Sequence, residues 1–158
     1  MEITLEKRLR KHVITFWERT QNEEIRRLFP FSVESLEKTL ELYEESLNES
    51  AKSYGKAICA DGRHIGDIWC YGIDIENEHM AMLSIVIFEN VFWGKGIAKS
   101  ATTSFLHEVF NKYDIDKIGA FTYSFNIRSV KALIKSGFIE IERFLENGIE
   151  SIYLEVTR

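Results

Sequence analysis

The chain has 158 residues, 20 Lys and Arg against 25 Asp and Glu, and a formal net charge of -5. That length suffices for one domain with a real hydrophobic core, and 1–158 reads as a single domain. The acidic balance argues against nucleic-acid binding, which needs a basic face. One proline and nine glycines leave no material for a flexible linker. No apolar run reaches the roughly 20 residues of a membrane span. The N-terminal MEITLEKRLRKH lacks the apolar core of a signal peptide, so a cytoplasmic location without a membrane partner is expected.

Residues 3–10 read as a short first strand or arm. Val13, Phe16, Trp17 and Thr20 then recur at helical spacing, and residues 23–29 add a helical turn or two that Pro30 stops. Ser32 is expected to cap a helix with Val33, Leu36, Leu40, Tyr43 and Leu47 on one face. Its other face is rich in Glu and reads as a solvated surface, with the lining of an acceptor entrance as the alternative. Beyond residue 52 the period becomes that of strands. Runs at 54–60, 65–73 and 80–88 form an antiparallel meander, turned at Asp61-Gly62 and at Glu76-Asn77-Glu78. The third run is nearly all apolar and belongs at the centre of a sheet.

A helix follows over 96–113, its buried stripe made of Ile97, Ala101, Phe105, Val109 and Tyr113. The strand at 118–123 should run parallel to the third, because a helix crosses between them. Asn126 is placed to cap a helix at 127–136, with Val130, Leu133 and Ile134 facing inward and Gly137 ending it. Two closing strands, 139–145 and 149–156, meet at Asn147-Gly148. Self-association through them into a homodimer is one expectation. Cys59 and Cys70 fall in strands without CxxC spacing and read as reduced core residues. His12, His64, His79 and His107 do not cluster in sequence, so no metal is expected.

Chemistry concentrates in residues 83–98, LSIVIFENVFWGKGIA. A strand, a glycine turn and a helix N-terminus in that order make an anion cradle. The glycines keep Cβ atoms out of the way, and the first helical turn offers unpaired N–H donors and a positive dipole end. Lys95 and Lys99 add local positive charge. The third glycine of the dinucleotide fingerprint and the Gly-Lys-Ser/Thr ending of the P-loop are both absent.

The meander, W-G-K-G-I-A, an amphipathic helix, a strand, then N-I-R-S and K-S-G-F form an ordered set. Over about residues 9–157 this set resembles the GNAT superfamily of N-acetyltransferases, most of all the branch that acetylates protein N-termini and various small amines. The family's pyrophosphate motif falls on Trp93, Gly94, Lys95, Gly96, Ile97 and Ala98, with Trp93 in place of the usual Gln or Arg. Its second motif falls on Asn126, Ser129, Gly137 and Phe138. The resemblance implies an α/β (α+β) fold with a mixed, mainly antiparallel central sheet of six to seven strands. The sheet should splay between the fourth and fifth strands, with about four helices around it.

It also implies acetyl-CoA as cosubstrate, without a metal, and a primary amine as acceptor. The pantetheine arm would pair with Ile85, Val86 and Ile87 like an added strand. The pyrophosphate would sit on the N–H groups of 94–99, Lys99 included. An N–H near Val86 would serve the developing oxyanion. Three positions that carry acids or bases in many relatives are apolar here: Leu83, Phe121 and Leu133. Two accounts of catalysis stay open. In one, Ser129 meets the thiolate, Asn126 orders the cofactor arm and water relays protons. In the other, Glu89, Asp67, Tyr123 or His79 serves. Trp17, Phe29, Phe31 and Trp69 could wall an acceptor pocket. The alternative function is a weak or inactive module of this fold that senses acyl-CoA or another ligand.

Overall fold

The computed structural model describes residues 1–29 and 34–158. The expected helix stop at Pro30, cap at Ser32, apolar position Val33 and pocket wall Phe31 fall outside the described residues. The elements run β1 Ile3–Lys7, α1 Arg10–Arg19, α2 Glu23–Leu28, α3 Leu36–Ser46, β2 Tyr54–Ala60, β3 Arg63–Asp74 and β4 Met80–Ile87. A single 3-10 turn at Asn90–Phe92 leads to α4 Ile97–Lys112, β5 Lys117–Tyr123, α5 Ile127–Lys135, β6 Ile139–Glu146 and β7 Ile149–Thr157. Among the described residues five helices stand where about four were expected, because the turns after residue 22 make a helix of their own. Asn22 caps that helix by accepting the N–H groups of Glu24 and Ile25. The described part of α3 begins behind Ser35, whose side chain accepts the Lys38 N–H.

The seven strands form one sheet in the order β1-β2-β3-β4-β5-β7-β6. Every pair is antiparallel except β4 and β5. Both hairpin dipeptides turn as their chemistry predicts, with positive φ at Asp61, Gly62, Asn147 and Gly148. The helix α4 lies on one face, where Phe105 and Val109 pack with Ile58, Ile68, Ile118 and Leu154. On the other face Ile25 of α2 meets Val86 and Phe88, with Phe16 of α1 and Trp69 of β3 packed against them. α5 ends with the Phe138 N–H on the Leu133 carbonyl, and Phe138 is buried behind it. Ile134, expected to face inward, is 51% exposed; the short helix turns only Leu133 fully into the core.

The parallel pair is the feature that positions the site. β4 and β5 are joined only at Met80↔Lys117, Ala81↔Ile118 and Met82↔Gly119. Beyond that rung each strand keeps its outer partner: β4 stays on β3 as far as Ile87, and β5 stays on β7 as far as Tyr123. The inner edges of 83–87 and 120–123 therefore diverge with their facing backbone groups unpaired by each other. Gly119 stands at the last rung because a Cβ there would lie 2.6 Å from Tyr153 Oη and 3.0 Å from Met82 Sδ.

Candidate active site

A cavity of about 640 Å³ opens where β4 and β5 part. Ile85 and Ser84 of β4 line one side, Thr122 and Tyr123 of β5 the other, and Ser129 of α5 looks in across the gap. Leu83, Phe121 and Leu133 all line this cleft, so the three positions singled out for their missing acid or base do face it.

At the far end of β4 the chain makes its glycine turn. Gly94 and Gly96 have φ of 71° and 78°, and among the described residues no atom beyond the chain neighbours lies within 4 Å of a Cβ built at either, so the space beside both is open. Gly96 is the N-cap of α4 and supplies no capping side chain, which leaves the first-turn N–H donors for a ligand. This arrangement fits a pyrophosphate. Trp93 is a pin for the turn: its indole Nε1 donates to the Ile87 carbonyl at 2.9 Å. The Arg128 guanidinium lies 4.9 Å from the Trp93 ring centroid, so a cation from α5 joins Lys95 and Lys99 beside the cradle. Sequence reasoning passed over Arg128, although it sits inside the Asn126–Ser129 motif.

Asn126 is buried, and its carboxamide works locally. Oδ1 accepts the Ser129 N–H at 3.4 Å, and Nδ2 donates to the Leu28 carbonyl at 3.2 Å, tying the start of α5 to the end of α2. The Ser129 hydroxyl lies 2.9 Å from that of Thr122, which is buried. With Thr122 donating, Ser129 keeps its own proton for the cleft.

The other candidates separate cleanly. Tyr123 lines the cleft. Glu89 does not: its carboxylate pairs with Arg63 at 2.5 Å and Arg19 at 3.5 Å, at the outer edge of the turn. Asp67 is fully buried under α1, with His64 Nε2 at 2.7 Å and an ion pair to Arg8 at 3.1 Å. His79 sits at the opposite end of β4, its Nδ1 3.2 Å from the Asp114 carbonyl. Two of the histidines expected to lie apart do meet: the rings of His12 and His64 are 4.7 Å apart, because α1 crosses β3. His12 Nδ1 accepts the Leu9 N–H, so it serves as a helix cap. Among the described residues no three His, Cys, Asp or Glu side chains are grouped to hold a metal. Both cysteines are free and buried, and burial pushes each thiol up to about 12. Among the described residues no helix is long and apolar enough to cross a membrane.

The cleft also shows polar groups that the sequence did not single out. Tyr71 and Ser84 meet on neighbouring strands. Burial raises the Tyr71 phenol, partly offset by its hydrogen bond to Ser84, so it remains a hydroxyl at neutral pH. Glu146, at the end of β6, and Arg26, on α2, are the charged side chains of the described lining. These residues come from four elements and are adjacent only after folding, so no local spacing could have announced them.

Solved structures share this architecture. A spermidine N-acetyltransferase from Vibrio cholerae, in complex with CoA and spermine, matches with a TM-score of 0.84 at 20% identity over 98% of this chain and 95% of that one. The aminoglycoside acetyltransferase AAC(6')-Ib, in complex with coenzyme A and kanamycin, matches with a TM-score of 0.80 at 17% identity over 99% and 95%. A domain from Methanocaldococcus jannaschii matches with a TM-score of 0.80 at 19% identity over 99% of both chains. Among curated proteins none matches in sequence. The family model described as acetyltransferase (GNAT) domain matches residues 3–139, which hold the cradle, the parted strands and the Asn126–Ser129 motif. The chain belongs to the GNAT acetyltransferase family.

Proposed function

We propose that this protein is an acetyl-CoA-dependent N-acetyltransferase that acetylates a primary amine, on a small molecule or a protein N-terminus, by direct attack in a ternary complex. The observation that carries the reading is the glycine cradle at the end of a strand whose inner edge is unpaired. A pyrophosphate on the N–H groups of 94–99 leads its pantetheine arm along 83–87, where amides can add to β4 as a further strand. The thioester then arrives where β4 and β5 part, opposite Ser129. The acceptor nitrogen must be neutral to attack. Its proton leaves toward water, along the hydroxyls of Ser84, Tyr71 and Tyr123. As the C–N bond forms and the C–S bond breaks, the nitrogen releases its second proton to the same water path, and the Ser129 hydroxyl donates to the departing sulfur and takes a proton back from that water. Asn126 holds α5 so that this hydroxyl faces the gap. Glu89, bound to two arginines outside the cleft, has no part in this scheme.

Titration calorimetry with acetyl-CoA tests the cofactor half; no heat at millimolar ligand sinks the proposal. Gly96→Glu is expected to abolish binding, because the new side chain adds both a strained φ and a carboxylate inside the cradle. The second reading, a binding module without turnover, draws support from the apolar side chains at Leu83, Phe121 and Leu133. Release of free thiol with any primary amine decides between the two.

We also propose that a second copy covers β6, the sheet-edge strand on which Ile139, Ile141 and Leu145 are 65%, 48% and 74% exposed. Light scattering at working concentration tests it: a monomer unaffected by Ile141→Lys rules it out.

A further inference from the structure

Charge and aromatic content together narrow the acceptor. The described lining of the cleft carries one carboxylate, Glu146, and one guanidinium, Arg26. Residues 30–33 are Pro, Phe, Ser and Val, so they bring no charge wherever they lie. Beside small and aliphatic residues such as Leu133, Asn147 and Ile149, six rings line the cleft: Trp69 and Tyr71 on β3, Phe29 after α2, Phe121 and Tyr123 on β5, and Phe144 on β6.

The rings are held in place from behind. Phe121 meets Phe144 edge-on at 5.9 Å and Tyr153 at 5.0 Å, yet it remains 45% exposed toward the gap. Trp69 is fixed edge-on by Phe16 at 5.4 Å. Tyr71 is 39% exposed. Rigid rings that keep a bare face toward a cavity suit a flat apolar ligand, since burying such faces releases water and orders few rotors.

A polycation finds the opposite. Once its reacting nitrogen is neutral, spermidine still carries two ammonium groups and an aminoglycoside carries several. Each loses hydration in the cleft and needs a carboxylate partner, or it costs free energy. One carboxylate in the cleft can serve one of them and Arg26 repels the rest, while the adjoining pocket that shares Trp69 and Tyr71 sets Lys7, Arg8, Lys52, Lys56 and Lys112 against only Glu34, Glu45 and Glu49. A cation over a ring face recovers only a small part of that loss.

We propose that the acceptor is a small primary amine on an aromatic body, an arylalkylamine, in preference to polyamines, aminoglycosides and peptide N-termini. This rests on the acetyl-transfer reading above and deepens it. In a thiol-release assay, kcat/KM for tryptamine or phenethylamine is expected to exceed that for spermidine, kanamycin and an Ala-leading peptide by about tenfold or more. Phe121→Ala, at an exposed position that does not threaten folding, should lower kcat/KM for tryptamine about tenfold and that for n-butylamine much less. Phe121→Glu should move the preference toward spermidine by supplying a second carboxylate. Calorimetry with acetyl-CoA on the wild type and both variants separates the two layers. If acetyl-CoA binds and some amine turns over, but spermidine, kanamycin or the peptide is the better acceptor, this inference alone is overturned. An unchanged acceptor preference in both Phe121 variants overturns it too. If acetyl-CoA does not bind the wild type, the transferase reading and this inference fall together.

Discussion

A serine hydroxyl is a weak acid, and it becomes a useful proton donor only when a neighbour fixes its direction. Thr122 does this for Ser129, from a buried position 2.9 Å away. Ser129→Ala is expected to lower kcat about 100-fold while leaving acetyl-CoA affinity within about twofold. Thr122 acts through Ser129 and is a positioning residue. Thr122→Val should therefore lower kcat about tenfold with KM nearly unchanged, and Thr122→Ser should restore it, a rescue that a packing role would not give. An unchanged kcat in Ser129→Ala removes both assignments. His12 makes a second prediction at this scale. Burial and the neighbouring His64 lower its pKa below 6.5, and its Nδ1 must stay unprotonated to accept the Leu9 N–H. Asp67 and Glu6 oppose the shift and Lys11 adds to it, but the direction stays down. A depressed folded pKa means that the unfolded chain binds the proton first. The contribution of His12 is thus complete above about pH 6.5 and is lost as pH falls through the folded value. Denaturant midpoints between pH 7.5 and 5 should fall toward acid, and less steeply in His12→Gln, whose amide can cap without titrating. Ser129, Phe121 and Leu133 line the cleft, and their nearness to one another was legible because each has a fixed offset from Asn126. Glu89, two residues past β4, turns its carboxylate to Arg63 and Arg19, a direction that nearness along the chain does not reveal.

Elements were legible where the signal is local. Period-two runs, Asp-Gly and Asn-Gly turns and the apolar stripe of α4 each report on a few neighbouring residues, and each formed where expected except that Tyr113 caps α4 half-buried instead of ending its buried stripe. The weak case is α3. Among its described residues none is buried, and it is held to α1 by the Arg10–Glu44 pair and, just before its cap, by the Trp17 indole donating to the Glu34 carbonyl. By contrast α4 buries Ile97, Ala101, Thr102, Phe105, Leu106 and Val109. Exposed backbone bonds with few buried apolar partners open locally at low cost. Amide exchange of α3 should therefore run at least about 100-fold faster than that of the middle of α4. Equal protection would mean that α3 unfolds only with the whole sheet.

At the scale of the molecule, the cleft depends on how differently the two sides of β5 are held. Toward β4 it has three rungs; toward β7 it is paired along its whole length, from Lys117↔Thr157 to Tyr123↔Ser151. β7 therefore carries one wall of the gap, although it lies beyond the stretch that matches the family model and holds no motif. Its part was not legible, because the sequence gives closing strands without saying that β7 inserts between β5 and β6. That insertion buries Ile152 and Leu154 against the α4 face, while Tyr153 on the opposite side covers Gly119. Two variants test these two faces separately. Leu154→Ala removes a fully buried side chain and should cost about 2–5 kcal/mol in denaturant unfolding, since the gap is enclosed by strands that cannot close over it. Gly119→Ala forces a methyl against Tyr153 at the last rung and should cost about 1–3 kcal/mol. It should also weaken acceptor use more than Leu154→Ala does, because displacing Tyr153 moves Phe121, which rests on it at 5.0 Å. Unfolding midpoints and amine KM values on both variants decide the point. If Leu154→Ala raises KM as much as Gly119→Ala at equal loss of stability, the wall is not set through Tyr153.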